Sequence, residues 1–248
     1  NKGEDCYNSV LEALKVGYRH IDTAWVYKNE KEVAKAIRDS GINRKDLFIT
    51  TKRWNDFRGY EETKKNFYES LENLGLDYID LYLLHWPKEK DAESWRAMED
   101  LYKEGKVRAI GVSNYHIHHL EKLLETATIT PMVNQIEFTP RLTQLELRDY
   151  CKRNNIVVES WSPLMNGEIF DIKELQEIAK HHQKSIPQIV LRFNLQSNVV
   201  VFPKSITPSR IKENFDIFDF ELNDSEMNII NSLNQNYRTG ADPDNFDF

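Results

Sequence analysis

Glycine is scarce in this chain, and its spacing excludes the usual nucleotide-binding loops. The nine glycines stand at positions 3, 17, 41, 59, 75, 105, 111, 167 and 240. No two of them have the Gly-x-Gly spacing of a dinucleotide-binding fingerprint or the Gly-x-x-x-x-Gly spacing of a P-loop. If the protein binds a nucleotide, it must therefore hold it by another device.

Cysteine, long apolar runs and net positive charge are also lacking. Cys6 and Cys151 are the only cysteines, and neither stands near another thiol, so we expect two free, buried thiols. No run approaches the roughly 18 apolar residues of a membrane span, and no charged-then-apolar leader is visible, so we expect a cytoplasmic protein with no membrane partner. The net charge of −7 argues against a nucleic-acid partner, although it leaves room for a local basic pocket that binds one phosphate.

Seven short apolar runs recur along the 248 residues, and each is followed by a stretch with helical periodicity. They predict strands at 18–24, 47–52, 79–86, 107–114, 133–139, 156–162 and 199–205. The predicted helices lie at 4–16, 30–39, 61–74, 93–103, 117–125, 144–153, 172–180 and 187–196. We expect Gly41 and Gly75 to end the second and the third of them. This alternation predicts an α/β fold, a (β/α)8 TIM barrel formed by residues 1–248 as one domain.

The number of strands is one short of a closed barrel. Seven strands preceded by a helix would leave two open edges in the barrel wall. We expect the first barrel strand to lie upstream of Asn1, in an amino terminus that is truncated or incomplete; the alternative is that another segment fills the gap.

Four polar residues stand at, or just beyond, the ends of predicted strands: Asp22, Tyr27, Lys52 and His85. The carboxyl ends of parallel barrel strands share one mouth, so these side chains can meet there. A phenol donates a proton poorly at neutral pH unless a cation stabilises its phenolate. Lys52, held by Asp22, could be that cation, and His85 could orient a substrate oxygen. A carbonyl that receives a hydride needs such a donor, although each residue taken alone also fits a structural role.

The last predicted strand leads through a turn that contains Lys204 into a helix with Arg210 one turn in. Helix amino termini and flanking cations attract phosphate, and barrels commonly bind phosphate after strands 7 and 8. The same segment equally fits a solvated helix start with a Ser or Thr cap.

Several motifs follow one another in a fixed order: GYRHIDTA at 17–24 with Tyr27, TK at 51–52, LHWP at 84–87, GKVRAIGVSN at 105–114, NQIE at 134–137 and PKS at 203–205. In kind and order they resemble the aldo-keto reductases over essentially the whole chain. The resemblance implies a (β/α)8 barrel that binds NADPH/NADP+ without a Rossmann domain and reduces a small-molecule aldehyde or ketone to an alcohol. It also implies a monomer.

The resemblance further implies roles for single residues. Tyr27 would be the general acid, Lys52 and Asp22 would tune it, and His85 would orient the carbonyl. The implied cofactor-binding residues are Ser113, Asn114 and Gln135 at the nicotinamide carboxamide, Trp161 against the nicotinamide ring, Ser162 and Leu164 along the pyrophosphate, Lys204, Ser205 and Arg210 at the 2′-phosphate, and Glu213 and Asn214 at the adenine. Trp161 replaces the tyrosine that is usual in the family, and the larger ring can still stack. The cations at the 2′-phosphate predict that NADPH is preferred over NADH.

The substrate side differs more from the family pattern. The family's first strand usually contributes a Gly-Thr-Trp-like stretch to the pocket, and its lack before Asn1 would impair turnover. The short loop at 87–92 and the short tail at 237–248 predict an open mouth bounded by Trp54, Trp86 and Phe246, which would tolerate varied aldehydes.

Two other classes of protein share some of these features. A hydrolytic metal barrel could use His20, Asp22 and His85 as ligands, but it needs more ligands than the strand ends offer, so we expect no metal. A cofactor-binding module without physiological catalysis, like the reductase-like subunits of some potassium channels, would keep similar motifs. The intact set of Asp22, Tyr27, Lys52 and His85 favours the enzyme.

Overall fold

The structure is a computed structural model that describes residues 2–248, and its centre is one parallel sheet. The strands are β1 His20–Asp22, β2 Phe48–Arg53, β3 Ile79–Leu84, β4 Val107–Ser113, β5 Val133–Glu137, β6 Val157–Trp161 and β7 Val199–Val201. They lie side by side in chain order from β1 to β7, and every neighbouring pair is parallel. All seven predicted strands are therefore present, although β1 and β7 are each four residues shorter than predicted, and all their carboxyl ends face the same way.

Helices connect each strand to the next, as crossovers between parallel neighbours require, and further helices precede β1 and follow β7. They are α1 Gly3–Val16, α2 Glu30–Ser40, α3 Tyr60–Leu74, α4 Asp91–Lys103, α5 Ile117–Leu124, α6 Leu145–Arg153, α7 Lys173–His182, α8 Ile186–Gln196, α9 Pro208–Phe215 and α10 Asp224–Ser232. The eight helices whose ranges were predicted are confirmed to within a few residues, and the helix expected around Arg210 is α9. Helix α10 was not predicted, although the pair Asn223 and Glu226 was a signal for it: each side chain accepts a hydrogen bond from the other residue's backbone N–H, a capping box.

Two glycines end helices in the way the sequence predicted. Gly41 after α2 has φ 69°, and Gly75 after α3 has φ 61°. Residues with a Cβ rarely adopt this left-handed conformation, so glycine is the favoured residue at both positions. Each turn brings the chain back to the sheet within a few residues.

The outermost strands, β1 and β7, approach each other without pairing. The ring of His20 on β1 lies 5.1 Å from the ring of Phe202, the residue directly after β7. A flat sheet of seven strands would hold these edges far apart, so the sheet is strongly curled. Residues 2–248 thus supply seven strands of a barrel wall, which is consistent with a (β/α)8 barrel.

The core has an inner and an outer layer around the sheet. Every residue of β3 is buried, as expected for a parallel strand covered on both faces. Leu81, Leu83 and Val133 form a small cluster separate from the large one formed by most of the other buried apolar residues. At the carboxyl ends of the strands, buried polar residues replace the apolar ones, and these ends form the site described below.

The two cysteines are free and buried, as predicted. Burial raises the pKa of the Cys151 thiol to about 11, which makes it a poor nucleophile at neutral pH. Within residues 2–248, no helix is both long and apolar enough to cross a membrane. The expected single domain, the cytoplasmic location and the monomeric state stay predictions.

Candidate active site

A buried ion pair lies where β1 and β2 end. Lys52 Nζ contacts Asp22 Oδ1 at 2.6 Å and donates a second hydrogen bond to the carbonyl of Thr23 at 2.9 Å. Lys52 is completely buried, and burial by itself lowers the pKa of an ammonium group. The negative groups around it, first of all the carboxylate of Asp22, together outweigh this effect, so the pKa of Lys52 is raised and the side chain stays charged.

Tyr27 stands beside this pair because the chain leaves β1 through a short 3-10 turn, Trp25–Tyr27. Lys52 Nζ lies 5.5 Å from the centre of the Tyr27 ring, and 40% of the surface of the residue as a whole is exposed. From the sequence, Lys52 was expected to lower the pKa of this phenol, and its charge does act in that direction. The net direction is the opposite, because burial of the phenol raises its pKa by more and Asp22 adds to the rise.

His85 follows β3 and completes the group. Its ring lies 5.8 Å from the ring of Tyr27 and 5.4 Å from that of Trp54. Burial, with the charges of Lys52 and Arg53, holds the pKa of His85 well below its usual range, so the imidazole is neutral at pH 7. The structure thus brings together all four residues that the sequence singled out at the strand ends.

A second polar group lies at the ends of β4, β5 and β6. Ser113 Oγ donates to the carbonyl of Gln135 at 2.9 Å, and Asn114 Nδ2 donates to the carbonyl of His85 at 3.0 Å. Trp161 Nε1 donates to Asn114 Oδ1 at 2.7 Å, which fixes the indole beside the asparagine. The four residues expected around the nicotinamide are therefore neighbours, and they adjoin His85.

Gln135 connects the two groups, a link that the sequence did not reveal. Its Nε2 donates to Asp22 Oδ2 at 2.8 Å and to Glu159 Oε2 at 3.0 Å. Glu159 lies on β6 and was missed by the sequence analysis. The signal was present, because a glutamate in the middle of an apolar barrel strand must face a polar partner if it is buried.

The other residues expected at the cofactor lie on the connections after β6 and β7. Ser162 has φ 52° and begins a tight turn that Leu164 continues, with the N–H of Met165 donating to the carbonyl of Ser162 at 3.0 Å. Ser205 Oγ accepts the N–H of Thr207 at 3.1 Å before α9. Lys204 and Arg210 are exposed and Asn214 is buried, while Glu213 binds Gln188 through its backbone carbonyl. No ion pair joins Lys204 or Arg210 to a carboxylate within residues 2–248, so their charges face solvent.

Aromatic residues border the site. Trp54 stacks on Phe248 with ring centres 5.9 Å apart, and Trp86 contacts Phe246 at 4.9 Å and Phe248 at 5.2 Å. Trp54, Trp86 and Phe246 were expected at the mouth, whereas Phe248 was not. The carbonyl of Phe248 also accepts a hydrogen bond from Asn55 at 3.2 Å, so the last residue of the tail, residues 237–248, is held over the mouth.

Asp244 attaches the tail to the start of α5. Its carboxylate lies 2.9 Å from His116 Nδ1, 2.9 Å from His118 Nε2 and 3.3 Å from His119 Nε2. Arg238 donates to the other nitrogen of His116, and the backbone N–H of His116 donates to the other nitrogen of His119. When one nitrogen of a neutral imidazole accepts a hydrogen bond, the other nitrogen carries the hydrogen. His116 Nδ1 and His119 Nε2 therefore donate to Asp244. The cluster is therefore a hydrogen-bonded anchor for the tail.

The residues of the rival metal site do not gather around one point. Among residues 2–248, two groups of side chains bring their ligand atoms within 4.8 Å of one another, and neither contains His20, Asp22 or His85. His20 Nε2 pairs with Thr50 Oγ1 at 2.8 Å instead, and both carboxylate oxygens of Asp22 are already engaged by Lys52 and Gln135. The geometry does not support the hydrolytic metal barrel.

Gly240 is the point where the tail lies closest to the site. Glu137 on β5 accepts hydrogen bonds from the backbone N–H of Thr239 at 2.7 Å and of Gly240 at 3.4 Å. A Cβ added at Gly240 would lie 2.9 Å from Cζ3 of Trp161 and nearer still to Cη2, closer than real Cβ atoms approach a neighbour. The tail thus contacts the indole directly, and only glycine fits there.

We therefore expect Gly240→Ala to lower the free energy of unfolding by about 1–3 kcal/mol, because the indole or the tail must shift. Urea denaturation followed by circular dichroism measures the loss. In a Trp161→Tyr background the smaller ring leaves room, so the same substitution should cost clearly less there. An equal loss in both backgrounds would show that the contact with Trp161 is not the cause.

Comparison with known proteins identifies the family. Residues 1–235 match the Aldo/keto reductase family. The chain is 56% identical over 243 residues to the glyoxal reductase of Bacillus subtilis (strain 168), which covers 98% of this chain and 88% of that protein. A solved structure of MGS-M4, an aldo-keto reductase from a Medee basin deep-sea metagenome library, matches with a TM-score of 0.98 and 50% identity over 100% of this chain and 93% of that one.

A third match carries a cofactor. The Bombyx mori aldo-keto reductase in complex with NADP has a TM-score of 0.92 and 35% identity, over 98% of this chain and 88% of that one. These structures confirm the predicted barrel class, and the sequence matches confirm the resemblance on which the residue roles were based. The chain belongs to the aldo/keto reductase family.

Proposed function

We propose that this protein reduces small aldehydes, above all 1,2-dicarbonyl compounds of the glyoxal type, to alcohols with NADPH, and that Tyr27 is the general acid. The observation that carries the proposal is the convergence of a phenol, an ammonium, a carboxylate and an imidazole at one mouth. Tyr27, Lys52, Asp22 and His85 come from three different strand ends and from a turn. Lys52 binds Asp22 and lies 5.5 Å from the centre of the Tyr27 ring, which lies 5.8 Å from the ring of His85. A module that only binds cofactor has no need of this arrangement.

The chemistry of the exposed and buried groups fits NADPH. Trp161 offers an indole face held by Asn114, and Ser113, Asn114 and Gln135 offer amide and hydroxyl groups beside it. On the far connection, Lys204 and Arg210 present two cations with no carboxylate partner within residues 2–248, which suits the extra phosphate that distinguishes NADPH from NADH. When it is bound, NADPH supplies the hydride.

The chain's own residues manage the proton. As the carbonyl oxygen gains negative charge, Tyr27 donates its phenolic proton to it, and Lys52 stabilises the phenolate that remains. The raised pKa of Tyr27 keeps the phenol protonated before the reaction, as a general acid must be. Asp22 holds Lys52 in position through the 2.6 Å ion pair and keeps it charged.

His85 has a different task. Because its pKa lies well below the usual range, it is neutral and offers one N–H donor without adding a charge to the site. A neutral donor can orient the carbonyl oxygen and leaves proton transfer to Tyr27. Its ring also separates Tyr27 from Trp54, so it sets the position of the substrate between the proton donor and the aromatic wall.

The mouth supports small carbonyl substrates. The walls formed by Trp54, Trp86, Phe246 and Phe248 are aromatic, and Asn55 and Asp244 hold the tail against them. A compact substrate with two adjacent carbonyl groups fits a site that offers two donors, Tyr27 and His85, on one side. The name of the Bacillus subtilis relative, glyoxal reductase, supports the same choice.

Purified protein mixed with NADPH and a panel of carbonyl compounds tests the proposal. The loss of reduced-cofactor absorbance should be fastest with glyoxal and related dicarbonyls, slower with simple aldehydes and slowest with bulky ketones. Turnover of none of these compounds would contradict the proposed function, and a preference for bulky ketones would contradict the proposed substrate class.

Cofactor preference tests the assigned phosphate site. We expect Arg210→Ala to weaken NADPH binding roughly 10- to 100-fold, since charge-assisted contacts to phosphate contribute about 1.5–3 kcal/mol, and to leave NADH binding nearly unchanged. Quenching of tryptophan fluorescence measures both affinities. Lys212→Ala, on the same helix α9, is the matched control and should change neither. Equal losses for NADPH and NADH would contradict the assignment of Arg210 to the 2′-phosphate.

A further inference from the structure

Glu159 is a buried carboxyl group inside the barrel that the mechanism above does not use. It lies in the middle of β6, and only 3% of its surface is exposed. In the sheet it is the register partner of Gln135 on β5, so the two side chains point to the same face. Gln135 Nε2 donates to Glu159 Oε2 at 3.0 Å and to Asp22 Oδ2 at 2.8 Å.

These two hydrogen bonds determine which way the Gln135 amide faces. A side-chain amide has two N–H hydrogens on nitrogen and an oxygen that only accepts. The opposite orientation would place the amide oxygen, which cannot donate, against the carboxylate oxygen of Asp22 that now accepts a hydrogen bond at 2.8 Å. Both hydrogens are therefore committed to the interior, and the oxygen Oε1 is the atom that Gln135 has left to offer to a ligand.

Without Glu159, one of these hydrogens would lose its partner. Asp22 alone would hold the amide through a single bond, and Asp22 also has to hold Lys52 at 2.6 Å. The chain Glu159–Gln135–Asp22–Lys52 thus crosses the barrel interior from β6 to β2, with each member bonded to the next.

We propose that Glu159 is a positioning residue of the reductase site, which locks the Gln135 amide with its oxygen free for the nicotinamide carboxamide and adds a charge that the Lys52–Tyr27 pair senses. The proposal rests on the proposed function for its catalytic consequence. Its structural consequence, the fixed amide, concerns binding and stability and can be measured separately.

The charge state of Glu159 changes in the neutral pH range. Burial raises the pKa of its carboxyl group from 4.5 to about 7, while the hydrogen bond from Gln135 works against the rise. The charged groups that face it are Asp22 on β1, which raises this pKa, and Lys52 on β2, which lowers it. Its neighbours in the sheet are the amide of Gln135 and, on β7, the apolar Val200.

The sign of the effect on stability follows from linkage. A raised pKa means that the folded protein holds the proton more tightly than the unfolded chain does, so this contribution to stability is present at low pH and is lost as the pH rises from 4.5 toward about 7. A glutamine at position 159 has no titratable proton, so it brings no such pH-dependent contribution to stability. The melting temperature of Glu159→Gln relative to that of the original protein should therefore rise between pH 5 and pH 8.

Two variants separate the carboxylate's charge from its hydrogen bond. Glu159→Gln keeps an oxygen that accepts from Gln135, so NADPH affinity should stay within about threefold. The titration of Glu159 should give the profile of kcat/KM of the original protein an inflection near neutral pH, and Glu159→Gln should lack it. Glu159→Leu removes the acceptor and should weaken NADPH binding roughly five- to tenfold, the value of one hydrogen bond of about 1 kcal/mol or slightly more. Tryptophan fluorescence, thermal melts and NADPH absorbance are the readouts.

Glu99→Gln is the matched control, because Glu99 is equally buried at 3% but binds Thr128 and Ile129 on the outer layer. It should alter neither the pH profile nor NADPH affinity.

The proposal is overturned if Glu159→Leu binds NADPH as tightly as the original protein, or if the melting temperature of Glu159→Gln keeps the same offset at pH 5 and pH 8. If Glu159→Leu does not fold, the melting-temperature offset of Glu159→Gln at pH 5 and pH 8 decides. If the original protein reduces no carbonyl, the proposed function fails, while the binding and melting data still decide this inference.

Discussion

Tyr27→Phe is expected to reduce kcat by about 10²–10⁴-fold while NADPH binding is retained. The substitution removes only the phenolic oxygen, and general acid catalysis by a positioned side chain contributes a factor of this size. The ring remains beside Lys52 and His85, so the walls of the site are unchanged. Initial rates from NADPH absorbance and NADPH affinity from fluorescence quenching measure the two effects independently.

The control for this variant is Tyr68→Phe. Tyr68 is exposed on α3 and takes no part in the site, so the same chemical change there should leave kcat unaltered. Full activity of Tyr27→Phe would remove Tyr27 from the mechanism and leave His85 as the proton donor to be tested. Loss of NADPH binding together with activity would instead assign Tyr27 a role in holding the cofactor.

Lys52→Met is expected to damage both activity and stability. Removing one member of a buried ion pair leaves the other charge uncompensated, which costs about 3–5 kcal/mol, and the loss of the cation beside the phenol should reduce kcat by about 10²–10³-fold. Lys52 is completely buried and contacts Asp22 at 2.6 Å, so it is a member of such a buried ion pair. Urea denaturation measures the first effect and initial rates measure the second.

A double variant identifies the source of the stability loss. If the uncompensated charge of Asp22 is the cause, Asp22→Asn combined with Lys52→Met should be clearly more stable than Lys52→Met alone. Kinetics should not recover, because the cation is still absent. Additive losses would show that Lys52 contributes to stability through the contacts of its side chain and not through its charge.

The sequence supported the fold well because the relevant signals are local. Apolar runs separated by helical stretches predicted all seven strands, and Gly41 and Gly75 predicted two helix ends. The helix α10 was missed although its capping pair, Asn223 and Glu226, is local too. Strand β1 is shorter than predicted, since only His20–Asp22 pairs with β2 before the chain turns toward Tyr27.

The site was predictable only in part. Strand ends in a parallel barrel share one mouth, so Asp22, Lys52 and His85 could be grouped from their positions alone. The link from Asp22 through Gln135 to Glu159 spans residues more than one hundred positions apart in sequence, and no spacing rule predicts it. No spacing rule predicts the attachment of Asp244 to His116 or the contact of Gly240 with Trp161 either. The direction of the Tyr27 pKa was also wrong from sequence, because burial depends on the folded structure.

The sequence by itself determined the class of fold, the family and the types of chemical group available, since these depend on periodicity and on short motifs that every local segment carries. Only the tertiary structure decided which groups touch, which of them are buried and therefore which way each proton is held. The physical reason is that hydrogen bonds and desolvation act over a few ångströms in space, and the distance between two residues along the chain does not determine that separation.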